Sequence, residues 1–309
     1  MIYLSASRLT AKYGEFPLGT FMARRIARLY PPLILSVFIT LLLYSLAKFL
    51  DLEALRQIAV GSETVARSHL YILPENLAGA CLFLNGLVDP FKTPAMNRPL
   101  WSLSHEFWFY LIFGVAVTSL SSRKMLLWLA VILVALSFRR SIVLILLGMF
   151  VWSLGCLLAW AYQHQHLSRR RVVIGSAIGF CLTLPLCWTG HFLDLPYGIN
   201  HVFKYLAGFP TFFGIALLIS TDFTGRGRLW FWIRDSAGFS YTLYVIHFPI
   251  LLFIQALVHR HILGRPFLIF LTCVLSGALC IYISKVCAEW VENKERTRRV
   301  LHALQGETR

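Results

Sequence analysis

Charged residues are scarce in this chain. Asp, Glu, Lys and Arg together make up 14% of its 309 residues, whereas a soluble globular domain has about a quarter. Apolar residues make up 58%, and no long polar insertion or low-complexity linker separates the apolar runs. This composition argues against a soluble fold and predicts a single integral-membrane domain over residues 1–309.

Acidic residues are the scarcer of the two kinds of charge. Asp and Glu number 14 against 29 Lys and Arg, which gives a net charge of +15. Such an excess in a soluble protein would indicate a nucleic-acid partner. Here the basic residues form short strips between apolar runs, and no basic helix or aromatic sheet pattern accompanies them. We therefore interpret the charge as loop charge that sets membrane topology, and we predict no nucleic-acid partner.

Paired cysteines are absent as well. The seven cysteines include no Cys-x-x-Cys pair, so the sequence predicts neither a disulfide framework nor a metal site, and no bound cofactor. Cys273, Cys280 and Cys287 are spaced seven apart on one helix stripe, which we interpret as packing at a helix contact. The polar N-terminal segment is too short for a secretory signal peptide.

Apolar runs long enough to cross a bilayer recur along the whole chain. A spanning helix needs about 20 apolar residues, and in lipid a helix satisfies its own backbone groups. The sequence therefore predicts an all-α integral membrane bundle of about eight to nine transmembrane helices. The nine candidates are Pro31–Leu50, His69–Val88, Pro99–Leu120, Met125–Phe138, Ile142–Tyr162, Val172–Trp188, His201–Ser220, Gly238–Val258 and Pro266–Trp290.

The basic strips predict the orientation of both ends. Residues 1–29 form an expected cytoplasmic segment that carries an arginine strip, and residues 291–309 form an expected basic cytoplasmic tail. An odd number of crossings would separate these two ends, whereas eight crossings keep both inside. The weakest candidate spans are His69–Val88, which a Pro-Glu-Asn triplet interrupts, and the short Met125–Phe138. We expect one of these two not to cross fully.

A histidine and a carboxylate lie side by side in the apolar run PLWSLSHEFWFYLIFG. On a helix, Ser102, Glu106 and Tyr110 share one stripe, while Trp101 and His105 lie about 100° around the axis. An acidic residue at the centre of a membrane helix costs about 2.5–3.5 kcal/mol, so such a position indicates a functional site. A structural polar contact between helices, or a position at the membrane interface, is the alternative.

A second polar stripe occurs in the segment Ser236–Phe253. Ser240, Tyr244 and His247 recur at helical spacing on an otherwise apolar helix. Pro249 removes a backbone donor, so we expect a kink close to these side chains. The stripe favours a polar pocket over a histidine that is merely hydrogen-bonded between helices.

An arginine strip precedes the first long apolar run. Arg24 and Arg28 are four residues apart on one helix face, and Arg25 lies beside them. Guanidinium groups bind phosphate through two parallel hydrogen bonds, so the strip can hold a phosphate-bearing donor from the cytosol. A charge strip that only orients the protein in the membrane is the alternative.

Together the three segments resemble the acyltransferase 3 family of multi-pass membrane acyltransferases. Its members show an arginine-rich strip that ends in Pro, a Trp-Ser-Leu-Ser-x-Glu-x-x-Phe-Tyr motif and a late Ser-Tyr-x-x-Tyr-x-x-His-x-Pro helix. This chain has ARRIARLYP, WSLSHEFWFY and SYTLYVIHFP in the same order. Lesser similarities are FLN at Phe83–Asn85 and the closing acidic residue Glu292. The resemblance covers essentially the whole chain.

The resemblance implies transfer of an acyl group, most often acetyl, from acyl-coenzyme A to a hydroxyl of a cell-surface carbohydrate or glycolipid. It places the protein in the bacterial cytoplasmic (inner) membrane, with the lipid bilayer, the donor and the acceptor as its partners. The catalytic candidates are Glu106 and His247, and then His105, which is ranked below Glu106. The substrate-binding candidates are Arg24, Arg25, Arg28, Trp101, Ser102, Ser104, Tyr110, Ser240, Tyr241 and Tyr244.

The sequence departs from the family pattern at its start. Members usually begin with two more helices, the first of which has an Arg or Lys followed eleven positions later by a His. No histidine of this chain has Arg or Lys eleven positions before it, so we expect these 309 residues to lack both helices. Two alternatives therefore stay open, a non-catalytic family member and a transporter in which Glu106 and His247 form a proton or substrate path.

Overall fold

The computed structural model describes residues 2–52, 72–88, 90–119, 142–164, 169–192, 208–220 and 235–292, with a few residues between 126 and 132 and at 206 and 231. Every regular element in these ranges is helical, which confirms the predicted all-α class. The helices are α1 (Ile2–Tyr13), α2 (Leu18–Phe49), α3 (Pro74–Cys81), α4 (Leu100–Ser119), α5 (Ile142–His164), α6 (Arg169–Phe192), α7 (Gly208–Ser220), α8 (Ser240–Ile262) and α9 (Pro266–Val291), with a 3-10 turn at Ala95–Asn97.

The chain divides into two compact units. One consists of residues 1–21 and 114–230, and the other of residues 22–113 and 231–309. The arginine strip, the WSLSHE motif and the late histidine helix all belong to the second unit. The prediction of one domain over residues 1–309 stays a prediction.

Five of the described helices are long and apolar enough to cross a membrane, which supports an integral membrane protein. They are α2, α8 and α9 with Leu100–Thr118 of α4 and Leu146–His164 of α5. The apolar part of α7, Gly208–Ile219, is shorter. The described residues therefore do not reach the predicted eight to nine spans, and most of the candidate span Met125–Phe138 lies outside them.

The described part of the candidate span His69–Val88 is not one spanning helix. Pro74 begins α3, where its missing N–H has no helical partner to lose, and the helix ends after 8 residues. A helix of that size is about 12 Å long, against about 30 Å for the hydrocarbon core. Phe83 and Gly86 then take positive φ angles of 55° and 72°. This agrees with the expectation that one of the two weak candidates does not cross fully.

The turn that follows α3 is held by side chains from α2 and α4. The Tyr30 hydroxyl donates to the carbonyl of Cys81 at 2.8 Å, and the Trp108 indole donates to that of Phe83 at 2.9 Å. The buried Phe83 ring stacks on Phe107 with centroids 4.6 Å apart. Irregular backbone at membrane depth is tolerated where it is buried in protein, and these contacts provide that burial.

Small residues bring α9 close to α8. Those of α9 that are buried recur every four residues and are Ser276, Cys280, Ser284 and Ala288. Such side chains allow two helix backbones to approach closely. Of the three cysteines predicted to pack together, Cys280 is buried, Cys287 is half-buried and Cys273 is exposed. The packing interpretation is thus confirmed for Cys280 and wrong for Cys273, because this contact repeats every four residues rather than every seven.

Gly79 tests the packing of α3 against its turn. A Cβ added there would overlap Asn85 Oδ1 and lie 2.7 Å from Phe91 Cβ. We expect Gly79→Ala to lower the free energy of unfolding by about 1–3 kcal/mol, the usual cost of overpacking. The measurement is the thermal unfolding midpoint of the purified protein in detergent.

Gly277 in α9 provides the matched control, because an added Cβ there meets no atom within 4 Å. Gly277→Ala should be neutral or slightly stabilising, since alanine favours a helix by about 1 kcal/mol over glycine. An equal fall of the midpoint in both variants would contradict the packing described for Gly79.

Candidate functional site

The arginine strip lies inside α2, within about three turns of the helix start. Arg25 is buried, with 7% exposure, and its guanidinium carbon lies 5.3 Å from the centroid of the Tyr110 ring. This distance is typical of a cation–π contact. Arg28, one turn further along, is exposed, and Arg24 is half-buried. Arg25 is therefore the most buried of the three, whereas Arg24 and Arg28, which share one helix face, are more exposed.

Glu106 and Tyr110 are joined on α4, as their four-residue spacing predicts. The Tyr110 hydroxyl donates to Glu106 Oε1. Arg25, Arg28 and Tyr241 all lie close enough to interact electrostatically with this pair. We call these five residues the arginine–carboxylate cluster. The cluster brings all three sequence motifs together, because it takes residues from α2, α4 and α8.

Tyr241 is the contribution of α8 to this cluster. Its hydroxyl oxygen is buried and makes no hydrogen bond within the part of the chain that the structure describes. Glu106 and Arg28 are among its electrostatic neighbours. Buried polar atoms almost always have a partner, so an unpartnered phenol at a charged cluster marks a position for a bound ligand or water.

Glu292 holds the start of α8. Its Oε1 accepts from the backbone N–H of Thr242 at 2.9 Å and from the Thr242 hydroxyl at 2.5 Å. The first N–H groups of a helix have no partner within the helix, and a negative charge is favourable beside them. The acidic residue that the sequence comparison indicated therefore closes the α8–α9 pair next to Tyr241.

A second polar group connects α4 and α8 through Ser102 and Tyr244. The Ser102 hydroxyl donates to the carbonyl of Pro99 at 2.9 Å, and its oxygen lies 2.6 Å from the Tyr244 hydroxyl. The Tyr244 hydroxyl also lies 3.4 Å from the Pro99 carbonyl oxygen, so either hydroxyl can be the donor between Ser102 and Tyr244. Trp101, next to Ser102, is 43% exposed.

The imidazole of His247 is hydrogen-bonded to its own helix. Its Nδ1 lies 2.8 Å from the carbonyl oxygen of Tyr244 and 3.1 Å from that of Leu243. A carbonyl oxygen only accepts, so Nδ1 carries the proton and Nε2 of the neutral ring keeps its lone pair. His105 has the same arrangement on α4, with Nδ1 2.9 Å from the carbonyl of Trp101. Both rings therefore present Nε2 as a base.

Glu106 and His247, the two predicted catalytic groups, lie at opposite ends of a row of polar side chains on α4 and α8. This row, which we call the polar track, runs from the arginine–carboxylate cluster through Ser102 and Tyr244 to His247. Ser102 contacts Tyr244, whereas Glu106, one turn later on α4, lies near Tyr241, about one turn earlier on α8. The two helices are therefore antiparallel where they meet. His247 lies beyond the Ser102–Tyr244 contact, about 9 Å along α8 from Tyr241.

Two of the predicted substrate-binding residues lie apart from this track. Ser104 is buried, with 1% exposure, and its hydroxyl makes no hydrogen bond within the described residues. Ser240 is exposed, and its hydroxyl donates to the carbonyl of Ala237 at 3.2 Å within its own turn. Their predicted roles stay predictions.

The sequence analysis missed a buried network of hydrogen bonds beside Pro249. Pro249 has no N–H, so the carbonyl of Val245, four residues earlier, lacks its helical donor. That carbonyl accepts from Ser36 Oγ at 2.7 Å and from Asn97 Nδ2 at 3.0 Å. The same amide nitrogen lies 3.0 Å from Thr40 Oγ1. The proline alone indicates that an outside donor is needed, but it does not indicate which residue supplies it.

A family model described as an acyltransferase domain matches residues 2–285. The chain belongs to the acyltransferase 3 family. This confirms the assignment that the three motifs suggested, and with its long apolar helices the acyltransferase 3 chain is a membrane acyltransferase. No curated protein and no solved structure matches it significantly.

The contact of Glu292 with α8 generates a stability prediction for this acyltransferase. Glu292→Ala removes the group that accepts from Thr242, so the free energy of unfolding should fall by about 1 kcal/mol, as for the loss of a helix cap. Glu289 lies exposed on the same last turn of α9, and Glu289→Ala is the matched control. Unfolding midpoints in detergent compare the two variants, and equal midpoints would contradict the capping role.

Proposed function

We propose that this acyltransferase 3 protein transfers an acyl group, most simply acetyl, from acyl-coenzyme A to a hydroxyl of a carbohydrate or glycolipid acceptor. The observation that carries the proposal is the polar track along α4 and α8. It joins a buried arginine–carboxylate cluster to a histidine whose Nε2 is a base. Ionisable groups inside apolar helices are costly and usually serve a function.

The arginine end of the track suits the phosphates of the donor. Arg25 and Arg28 outnumber Glu106, which is the one carboxylate of the arginine–carboxylate cluster, so the cluster has an excess of positive charge. Arg25 lies against Tyr110, whereas Arg28 is exposed. Guanidinium groups match phosphate geometry, and we assign Arg28 the direct contact with coenzyme A.

The histidine end suits the acceptor hydroxyl. His247 Nε2 takes the proton as the hydroxyl oxygen attacks the thioester carbonyl carbon. The carbon–sulfur bond then breaks, and the imidazolium returns the proton to the sulfur, which yields the ester and free coenzyme A. The Tyr244 ring lies beside the imidazole, with centroids 6.0 Å apart, so its hydroxyl is placed to hydrogen-bond a substrate oxygen.

The exposed aromatic rings at this end support a carbohydrate acceptor. Trp101 is 43% exposed and Tyr244 is 40% exposed, and the hydroxyl of Ser102, the residue next to Trp101, lies 2.6 Å from the Tyr244 hydroxyl. Aromatic rings supply flat apolar surface, and Tyr adds a hydrogen-bonding group. A sugar ring needs both kinds of contact.

Glu106 is the alternative base, but its surroundings favour a role at the donor end. Its carboxylate accepts from Tyr110 and lies near Arg25. In this assignment Glu106 positions Arg25 and Tyr110. His105 has its Nδ1 hydrogen-bonded in the same way as His247, on the α4 stripe that carries Trp101.

His247 and His105 provide a matched pair that tests the proposed reaction. His247→Asn removes Nε2, so kcat should fall by about 100- to 10,000-fold, the usual contribution of a general base. His105→Asn makes the same chemical change on α4 and should keep most of the activity. The assay follows radiolabelled acetyl-coenzyme A into alkali-labile esters of the glycan fraction in membrane vesicles. If His247→Asn is active and His105→Asn is not, His105 and not His247 is the base. If the unchanged protein forms no labelled ester, the proposed function is refuted.

Arg28→Ala tests the donor end. A hydrogen bond to a charged group contributes about 1.5–3 kcal/mol, so the KM for acetyl-coenzyme A should rise about tenfold or more while kcat changes little. Arg265 is exposed in the loop before α9, at the other end of α8, and Arg265→Ala is the control. An unchanged KM with altered membrane orientation would instead support a charge strip that only sets topology.

A further inference from the structure

His247 lies in the turn of α8 that precedes Pro249. Pro249 cannot donate to the carbonyl of Val245, and the imidazole belongs to the turn between these two residues. Its Nδ1 donates toward the carbonyls of Leu243 and Tyr244. The direction of Nε2 therefore follows the backbone path of this one turn.

Side chains from outside α8 replace the missing N–H. Ser36 Oγ donates to the carbonyl of Val245 at 2.7 Å, and Asn97 Nδ2 donates to it at 3.0 Å. Ser36, Asn97 and the neighbouring Thr40 are all 0% exposed. A buried carbonyl without a donor costs about 1–3 kcal/mol, so these donors stabilise the turn of α8 that precedes Pro249.

Asn97 also connects this turn of α8 to α4. It is the last residue of the 3-10 turn Ala95–Asn97, and α4 begins at Leu100. Ser102, in the first turn of α4, contacts Tyr244. One short segment therefore holds both the Val245 carbonyl and the phenol beside His247, so α4 and α8 cannot shift past each other without breaking both contacts.

We propose that Ser36 and Asn97 are positioning residues that act on His247 through the Val245 carbonyl. They hold this turn of α8 in the geometry that presents the imidazole beside the Tyr244 ring. This inference rests on the proposed function, in which His247 is the base. Because neither residue belongs to the arginine end, their loss affects kcat and leaves the KM for acetyl-coenzyme A unchanged.

Ser36→Ala in the full 309-residue chain tests this positioning role. The assay uses membrane vesicles and radiolabelled acetyl-coenzyme A. We expect kcat to fall by about tenfold to a hundredfold, the effect of misplacing a catalytic group by about 1 Å. The control is Ser284→Ala. Ser284 is also 0% exposed, but its hydroxyl donates to Cys280 within its own helix, so kcat should not change.

Pro249→Ala shows whether Ser36 acts through Val245. The alanine N–H gives the carbonyl its helical partner in place of the outside donors, which lets this turn of α8 change its path, so this variant alone should lower kcat. Adding Ser36→Ala to it should then cause no further loss. The unfolding midpoints of the single and double variants should be non-additive in the same way, and this readout does not depend on activity.

The outcomes separate the two proposals. If the unchanged protein transfers no acetyl group, the proposed function fails. The unfolding midpoints then still test whether Ser36 acts through the Val245 carbonyl. If the unchanged protein is active and Ser36→Ala keeps its kcat, the positioning role is overturned. A full Ser36→Ala loss on top of Pro249→Ala would overturn the route through Val245. Where Ser36→Ala yields no folded protein, Asn97→Ala, which removes the other donor to the Val245 carbonyl, takes its place, and an unchanged kcat overturns the role equally.

Discussion

A polar group among apolar helices must find its partner inside the protein, and this requirement shapes the functional unit of the molecule. Leaving such a group unpaired away from water costs several kcal/mol, about 2–7 depending on the reference state. Arg25 therefore lies against Tyr110, and the carbonyl that Pro249 leaves without a helical donor is paired with Ser36 and Asn97. Each of these contacts joins two helices, so satisfying the polar groups also fixes the helix packing.

The antiparallel contact of α4 and α8 turns these pairings into a track with two different ends. Ser102 and Tyr244 meet in its middle, with the arginines and Glu106 on one side and His247 on the other. A membrane acyltransferase has to bring together a charged, water-soluble donor and a hydroxyl acceptor. Separate ends allow phosphate binding and proton transfer to be served by different residues, each in surroundings suited to it.

Much of the fold class and of the site follows from local patterns. Apolar length predicts the long helices, and the four-residue spacing predicts the Glu106–Tyr110 contact, because both depend only on the geometry of one helix. The proline rule similarly predicts a kink at Pro249 and an orphaned carbonyl four residues before it. The three motifs identify the family, since their order and spacing are read directly along the chain.

The sequence by itself determined what a single helix dictates, namely the helical class, the shared stripes and the carbonyl that Pro249 leaves without a helical donor, and it also determined the family. Only the tertiary structure decided which arginine turns inward, how far His247 lies from Glu106, and that Ser36 and Asn97 supply the missing donors. These features depend on the rotation and the axial offset of neighbouring helices. Both are set by the summed packing of many side chains across the contact, and no residue spacing within one segment records them.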